Sequence, residues 1–417
     1  MSDATPAGPD LIVGVPLDGR GAAETGALVR AIGEAMARQA APLRLGMLVA
    51  HSGTAGELSG ALAGAGRNGS GVGEVKYALQ PSDVLNVPYH GLSGRARAVH
   101  AILQEARARQ ARGCVIVDPR SSAASAALDG LLAPLLEDAA DFVAPLYRRH
   151  PFAGALGHGL VYPLFRALYG ARLRYPLGGD FSCSSRLIDA VLEEPVWHTD
   201  TAQIGIDLWM AATAVSGRFR VVQAVVGPGI TDRPPIDLST TVSQVVGYLF
   251  SDMERRAATW QRVRGSQALP QIGEVEPPGG APEVDVPALV NSFRLASREL
   301  QDVWAEVLPP LAMLQWRRLA AVPPETFKVD EGLWVRTIYD FAMGHRMRVI
   351  ARDHLLRSLT PLYLAWLASF ILEVRHLGPG EADARIERLC MAFETEKPYL
   401  VSQWRWPERF KPVKLRR

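Results

Sequence analysis

Two rhythms of apolar and polar positions run along the chain. In the first ~250 residues, short apolar runs alternate with segments that repeat apolar residues every third or fourth position. Leu11-Ile12-Val13-Gly14-Val15 reads as a strand that stops at Pro16. Residues 24–39 follow as a helix, with Leu28, Ile32 and Met36 on one face. Residues 45–50 form the next strand and run into the turn His51-Ser52-Gly53-Thr54. The Gly-rich stretch 64–73 reads as a loop, and residues 95–112 as a helix with Ala98, Ile102 and Ala106 on one side. Further strands are Cys114-Val115-Ile116-Val117, residues 141–147 and residues 220–226. This βαβαβ order predicts a doubly wound, mostly parallel α/β sheet with ligand clefts at the strand ends.

The second rhythm is helical. Residues 265–287 are rich in Pro and Gly and poor in strand signals, so they read as a linker or protruding loop. From 288 to 417 the pattern is nearly all helical, broken at Leu308-Pro309-Pro310 and Val322-Pro323-Pro324. The expected organisation is an α/β domain over 1–255, a linker over 256–287 and a helical domain over 288–417. The helical domain would close one side of the cleft or form a homo-oligomer interface. Its tryptophans Trp334, Trp366, Trp404 and Trp406 read as core packing, not as faces for carbohydrate stacking.

With 417 residues, 48% of them hydrophobic, the chain can bury a large core. Lys and Arg number 45 against 43 Asp and Glu, which argues against a nucleic-acid binder held by charge. Cys114, Cys183 and Cys390 are far apart in apolar contexts and read as free core thiols. No signal-peptide pattern is seen at the start, and the uncharged apolar stretch 358–372 falls short of the roughly 18 residues of a membrane span. A soluble cytoplasmic protein without a transmembrane segment is expected. No Gly-x-Gly-x-x-Gly follows the first strand, which argues against a dinucleotide oxidoreductase. His150, His158 and His198 have no metal-ligand spacing and read as core or surface residues. The basic stretch 409–417 reads as a solvated end.

The candidate chemistry lies at the ends of the strands. The run Cys114–Val117 delivers Asp118 to the carboxyl edge of the sheet, followed by Pro119 and Arg120. A second acid two residues on would make a metal-binding pair for a nucleotide diphosphate; that position is Arg120. Downstream, Tyr175-Pro176-Leu177-Gly178-Gly179-Asp180 is a turn in which glycines would let backbone approach a polyhydroxylated ligand. Its acid could accept bonds from sugar hydroxyls. As an isolated motif it would be a tight turn ahead of a helix capped at Ser184.

These runs are not isolated. Together with Tyr147-Arg148-Arg149-His150-Pro151-Phe152, Val161-Tyr162-Pro163-Leu164-Phe165, Ile204-Gly205-Ile206-Asp207-Leu208-Trp209, Val245–Glu254, Tyr339-Asp340-Phe341, Arg352-Asp353-His354 and Leu359-Thr360-Pro361-Leu362-Tyr363, they cover nearly the full length. In combination they resemble bacterial GT-A-fold glycosyltransferases related to mannosylglycerate synthase and glucosyl-3-phosphoglycerate synthase. The resemblance implies a GT-A nucleotide-diphospho-sugar fold with a helical C-terminal domain. It implies hexosyl transfer from a nucleotide-sugar donor to a small hydroxylated acceptor, with retention of configuration and a divalent Mg or Mn ion at the diphosphate. It places Asp207 and Asp180 as catalytic residues, and Pro16, Arg95, Asp118, Gly178 and Gly179 as substrate-binding residues; Arg120, which this chain sets beside Asp118, joins the substrate-binding candidates as its own departure.

The chain departs from that pattern where metal ligands are expected. The acid pair is reduced to Asp118-Pro119-Arg120, and Thr231 stands where relatives carry a histidine, leaving Asp118 and Asp232 as the candidate ligands. The basic turn survives as Ser93-Gly94-Arg95. Two readings follow. Arg120 replaces the ion and grips the diphosphate in a metal-independent transferase, or the centre is inactive and the protein is a sugar-nucleotide binder or scaffold. Structural readings of the same residues stand beside these: Asp118 as a turn residue, Asp207 as a helix N-cap, and Arg120 as an exposed loop residue.

Overall fold

The computed structural model describes residues 9–17, 22–39, 43–52, 72–76, 78, 94–121, 124–151, 154–198, 200–227, 238–274 and 283–410. Its packing separates two compact units. One comprises Met1–Arg149, Leu173–Arg233 and Ala268–Pro278; the other comprises His150–Arg172, Pro234–Gln267 and Gly279–Arg417.

The first unit is an α/β layer structure around one sheet. Its strands are β1 (Leu11–Pro16), β2 (Leu45–His51), β3 (Val72–Lys76), β4 (Gly113–Ile116), β5 (Phe142–Leu146), β6 (Phe181–Ser184), β7 (Val221–Val225) and β8 (Gln271–Ile272). Their order is β3-β2-β1-β4-β6-β5-β7-β8. All neighbours run parallel except β6, which is antiparallel to both β4 and β5. Strand alternation sends Leu11, Val13, Val15, Met47, Val49, Val115 and Val117 into one core. There they meet Val29, Ile32 and Met36 of the helix Ala22–Arg38 and Leu128, Leu131 and Leu135 of the helix Ala124–Leu136. Each fully buried aliphatic side chain of this kind contributes about 1.5–3 kcal/mol. The opposite face is covered by the helix Arg95–Ala108, whose Ile102 closes on Gly14 of β1. The mostly parallel, doubly wound sheet expected from the pattern is therefore present.

Three details differ from the expectation. β3 begins inside the stretch read as a Gly-rich loop, because Val72 and Val75 pair with β2 despite the intervening glycine and charges. β6 is too short, and too mixed in Ser and Cys, to announce itself as a strand. The stretch 256–287 is not uniformly a linker: it holds the short helix Ala257–Trp260 and the edge strand β8. The three cysteines are free and buried, and Cys114 lies directly opposite Cys183 across the β4–β6 pair.

The second unit is helical. After a π-helical turn, Gly157–Val161, come the helices Tyr162–Tyr169, Leu238–Arg255, Ala257–Trp260, Val286–Glu299, Gln301–Val307, Pro310–Leu319, Glu331–Met347, Arg352–Val374 and Pro379–Arg405. It is larger than 288–417 because it also draws in 150–172 and 234–267. The buried Arg166 shows why: its guanidinium is held by Glu387 and Glu394 at 2.5 and 2.7 Å. Lys397 likewise donates to the carbonyls of Ala167 and Val263 at 2.6 and 2.9 Å. Pro310 opens its helix at the first position, where the missing N–H is not needed. Trp334 and Trp366 stack at 5.7 Å in the core, and Trp404 is buried against Trp260. Trp406 is the exception: it is 69% exposed, because the helix ends at Arg405 and the chain turns outward at Pro407. The helix Arg352–Val374 is long and apolar enough to cross a membrane by length and composition, yet 72% of its apolar window is buried within the chain, as in a core helix.

Candidate functional site

The antiparallel β6 builds the site. In a parallel sheet, strand ends gather at one edge; a reversed strand brings its beginning to that same edge. Ile116 pairs with Phe181, so Asp180, just before β6, falls beside the end of β4. The backbone N–H of Asp118 donates to Asp180 Oδ1 at 2.7 Å. Tyr147, just past β5, donates its hydroxyl to Asp180 Oδ2 at 3.1 Å. Three strand ends thus converge on one carboxyl group.

Two arginines enter this cluster. Gly94, in the left-handed region at φ 74°, turns the chain into the helix that begins at Arg95. The Arg95 guanidinium is buried and meets Asp207 through Nε at 3.2 and 3.3 Å and through its terminal nitrogen at 2.8 Å. The same terminal nitrogen donates to the Gly179 carbonyl at 2.5 Å, and the other lies 3.4 Å from Asp118 Oδ2. Arg120 folds back on Asp118. Its backbone N–H and Nε reach Oδ1 at 2.8 and 2.9 Å, and its terminal nitrogen reaches Oδ2 at 2.7 Å. The backbone bond is the Asx-turn that Asp118-Pro119 favours.

Asp207 lies within the helix Asp200–Ser216, so the N-cap reading of this residue is corrected. That helix breaks at Gly205 (φ −138°, ψ 36°), which leaves Asp207 in the first turn of the segment that follows. Acidic charge is favoured there by the helix dipole.

Burial controls the charge state. Asp118 and Asp180 are fully buried and Asp207 nearly so. Burial, reinforced by the neighbouring charge of Asp118, pushes the Asp180 carboxyl up to about 7. Burial also raises Asp207, although Arg95 opposes it. Burial and the Asp180 charge push the Tyr147 phenol well above its ordinary value, so it stays a hydroxyl donor. For Arg95, burial pulls downward, but Asp207 and Asp118 outweigh it and keep the guanidinium charged. When Asp180 carries its proton, as below about pH 7, Arg95 and Arg120 face two carboxylates, Asp118 and Asp207.

Sequence-predicted residues Arg95, Asp118, Arg120, Gly179, Asp180 and Asp207 are therefore brought together. Pro16 ends β1 at the same edge, two residues beyond Gly14, which pairs with Ile116. Gly178 stands where a side chain would come within 2.2 Å of Pro145. Its glycine is required by packing against β5, and the Gly179 carbonyl accepts from Arg95. Arg120 is not a freely exposed loop residue; its side chain is 16% exposed. Tyr147 was not singled out as a site residue, although the distinctive Tyr147-Arg148-Arg149 run could have pointed to it. His158 is buried in the helical unit, with Nδ1 3.2 Å from the Pro151 carbonyl, and His150 belongs to that unit too.

The donor set does not fit a divalent ion. Both oxygens of Asp118 already accept from arginine, and two guanidinium groups stand where such an ion needs unengaged oxygen ligands. Asp118, the expected metal ligand, has its charge answered by the chain's own Arg95 and Arg120. Among the described residues, no group of three or more His, Cys, Asp or Glu side chains could hold a metal. Asp232, the other expected ligand, and Thr231 lie outside the described residues.

No protein-family model matches the chain, and no curated protein matches it. Among solved structures, the chain is similar to glucosyl-3-phosphoglycerate synthase from Mycobacterium tuberculosis, solved with Mn2+, uridine diphosphate and glucosyl-3-phosphoglycerate. The two are 18% identical over 59% of this chain and 80% of that one, with a TM-score of 0.41. It is also similar to TarS of S. aureus in complex with UDP-GlcNAc, at 12% identity over 95% of this chain and 92% of that one, with a TM-score of 0.30. Likeness at this level carries no inference about chemistry. What the molecule itself presents is a buried carboxylate–arginine cluster at the carboxyl edge of a mostly parallel α/β sheet.

Proposed function

We propose that this chain is a glycosyltransferase that moves a sugar from a nucleotide-diphosphate donor to a small hydroxylated acceptor without a divalent ion. The observation that carries this reading is the position of Arg120. It is the partly exposed cation of the cluster, at the sheet edge where ligands of open α/β folds collect. A guanidinium there can take two phosphate oxygens side by side, the task a metal ion otherwise performs.

In this mechanism Arg120 exchanges part of its contact with Asp118 for the donor diphosphate. The bond between the sugar's anomeric carbon and the diphosphate oxygen breaks as the acceptor hydroxyl oxygen bonds to that carbon. The hydroxyl proton passes to the departing diphosphate, and the sugar keeps its anomeric configuration. Arg120 stabilises the negative charge that develops on the leaving group. Asp207 holds Arg95 in place, and Asp180 ties the ends of β4 and β5 together; neither acid is free to act as the base.

A second reading is favoured by the closure of the network: Asp118 and Asp207 are each committed to an arginine, as in a binder that no longer turns over. A panel including UDP-glucose, UDP-N-acetylglucosamine and GDP-mannose, assayed with and without chelator, separates the two. Transfer that persists in chelator and is lost in Arg120→Ala supports the transferase. Binding with no transfer to any hydroxylated acceptor supports the binder. If no nucleotide diphosphate binds, both readings are lost.

A further inference from the structure

Within the helical unit, well away in sequence from the carboxylate–arginine cluster, lies a cavity of about 820 Å³. That is within the range of about 300–1,000 Å³ typical of small-molecule sites. It is bordered by the helices Pro310–Leu319 and Glu331–Met347 and by the last turns of Pro379–Arg405.

We propose that this cavity is a saccharide-binding site whose stacking face is Trp406. Single exposed apolar side chains are ordinary, but here two border one cavity: Trp406 is 69% exposed and Leu311, on the same rim, 77%. The backbone that carries the indole is not a loose end. The backbone N–H of Trp406 donates to the Ser402 carbonyl at 2.9 Å, the Trp406 carbonyl accepts from the backbone N–H of Glu408 at 2.8 Å, and Pro407 stiffens the step between them. An exposed aromatic face on an anchored backbone suits the C–H face of a pyranose ring.

The polar lining supplies the rest. Gln315 and Gln403 present planar amides, each with donors and an acceptor, and among the described residues neither side chain makes a hydrogen bond within the chain. Hydroxyl pairs on a sugar match that inventory. Charge decides between a neutral sugar and an anion. The two cations of the lining are already paired: Arg336 with Glu396 at 2.9 Å, and Arg409 with the buried Asp340 at 2.7 Å. Glu408 and Asp330 add further negative charge. An anionic ligand would find no uncommitted arginine, so the site takes neutral saccharides. The inference stands independently of the transferase reading, since it rests on different residues in a different unit.

The test is titration of the full chain with glucose, mannose, N-acetylglucosamine, maltose and trehalose, followed by calorimetry and tryptophan emission. Glucose 6-phosphate serves as the anionic control. At least one neutral sugar should bind with a Kd below about 10 mM. Binding should weaken at least about tenfold in both Trp406→Ala and Gln403→Ala, while nucleotide-sugar binding, if present, is unchanged. Unchanged thermal stability of Gln403→Ala shows that the loss is not unfolding. The proposal is overturned if no neutral sugar binds, if binding survives both substitutions, or if only the phosphorylated sugar binds.

Discussion

Asp180 holds its proton more tightly in the folded chain than an unfolded carboxyl does, with a value of about 7 against an ordinary 3.8. A carboxyl raised in this way loses stability for the fold as pH climbs, because the unfolded chain ionises first. Its contribution is therefore complete below about pH 4 and declines toward pH 7. Asp180→Asn should keep the bonds to Asp118 and Tyr147 while removing the ionisation, so the melting temperature should fall less steeply between pH 4 and 7 than in the parent. An unaltered slope would rule out Asp180 as the group responsible. Arg95 is the complementary case. Buried and paired to Asp207, it neutralises charges that have no water to turn to. Arg95→Met should cost about 3–5 kcal/mol in urea unfolding, and the added change Asp207→Leu should recover a large part of it. No recovery in the double variant would mean that packing, not charge, sets the cost.

Strands and helices were legible in proportion to their length and periodicity. The helix Arg95–Ala108 announced itself through Ala98 and Ile102, and β1, β2, β4, β5 and β7 through their apolar runs. The strand that organises the site did not. Phe181–Ser184 is four residues long and carries two serines and a cysteine, so its pattern is that of a turn. Only pairing on both sides makes it a strand, and pairing between distant segments leaves no local trace. The same limit applies to charge. The sequence singled out Asp118, Asp180, Asp207, Arg95 and Arg120 one by one, but not that each carboxylate would be answered within the chain. Gly178 was visible as a glycine, whereas its reason, the ring of Pro145 from β5, is a contact across thirty-three positions. Trp406 misled in the opposite direction: it follows a helix with a buried apolar face, yet beyond the helix end at Arg405 it is exposed.

The chain crosses between the two units five times, so the order of residues is a poor guide to what packs together. Segment 150–172 serves the helical unit, and segment 268–278, late in the chain, returns to the sheet. That return ends in β8, only two residues long and exposed on both, with Pro270 accepting from the N–H of Gln223 just beside it. It does little for the core, but it occupies the open flank of β7, whose run Val221-Val222-Gln223-Ala224-Val225 is otherwise an adhesive template for a foreign strand. β8 acts as a stopper: too short to recruit another chain and closely preceded by a proline that cannot extend the ladder. Replacing Gln271 and Ile272 with proline should leave the chain folded but release that flank, so that the variant self-associates more than the parent as concentration rises. Light scattering over a dilution series reads this directly, and a variant as monodisperse as the parent would show that the sheet is guarded elsewhere.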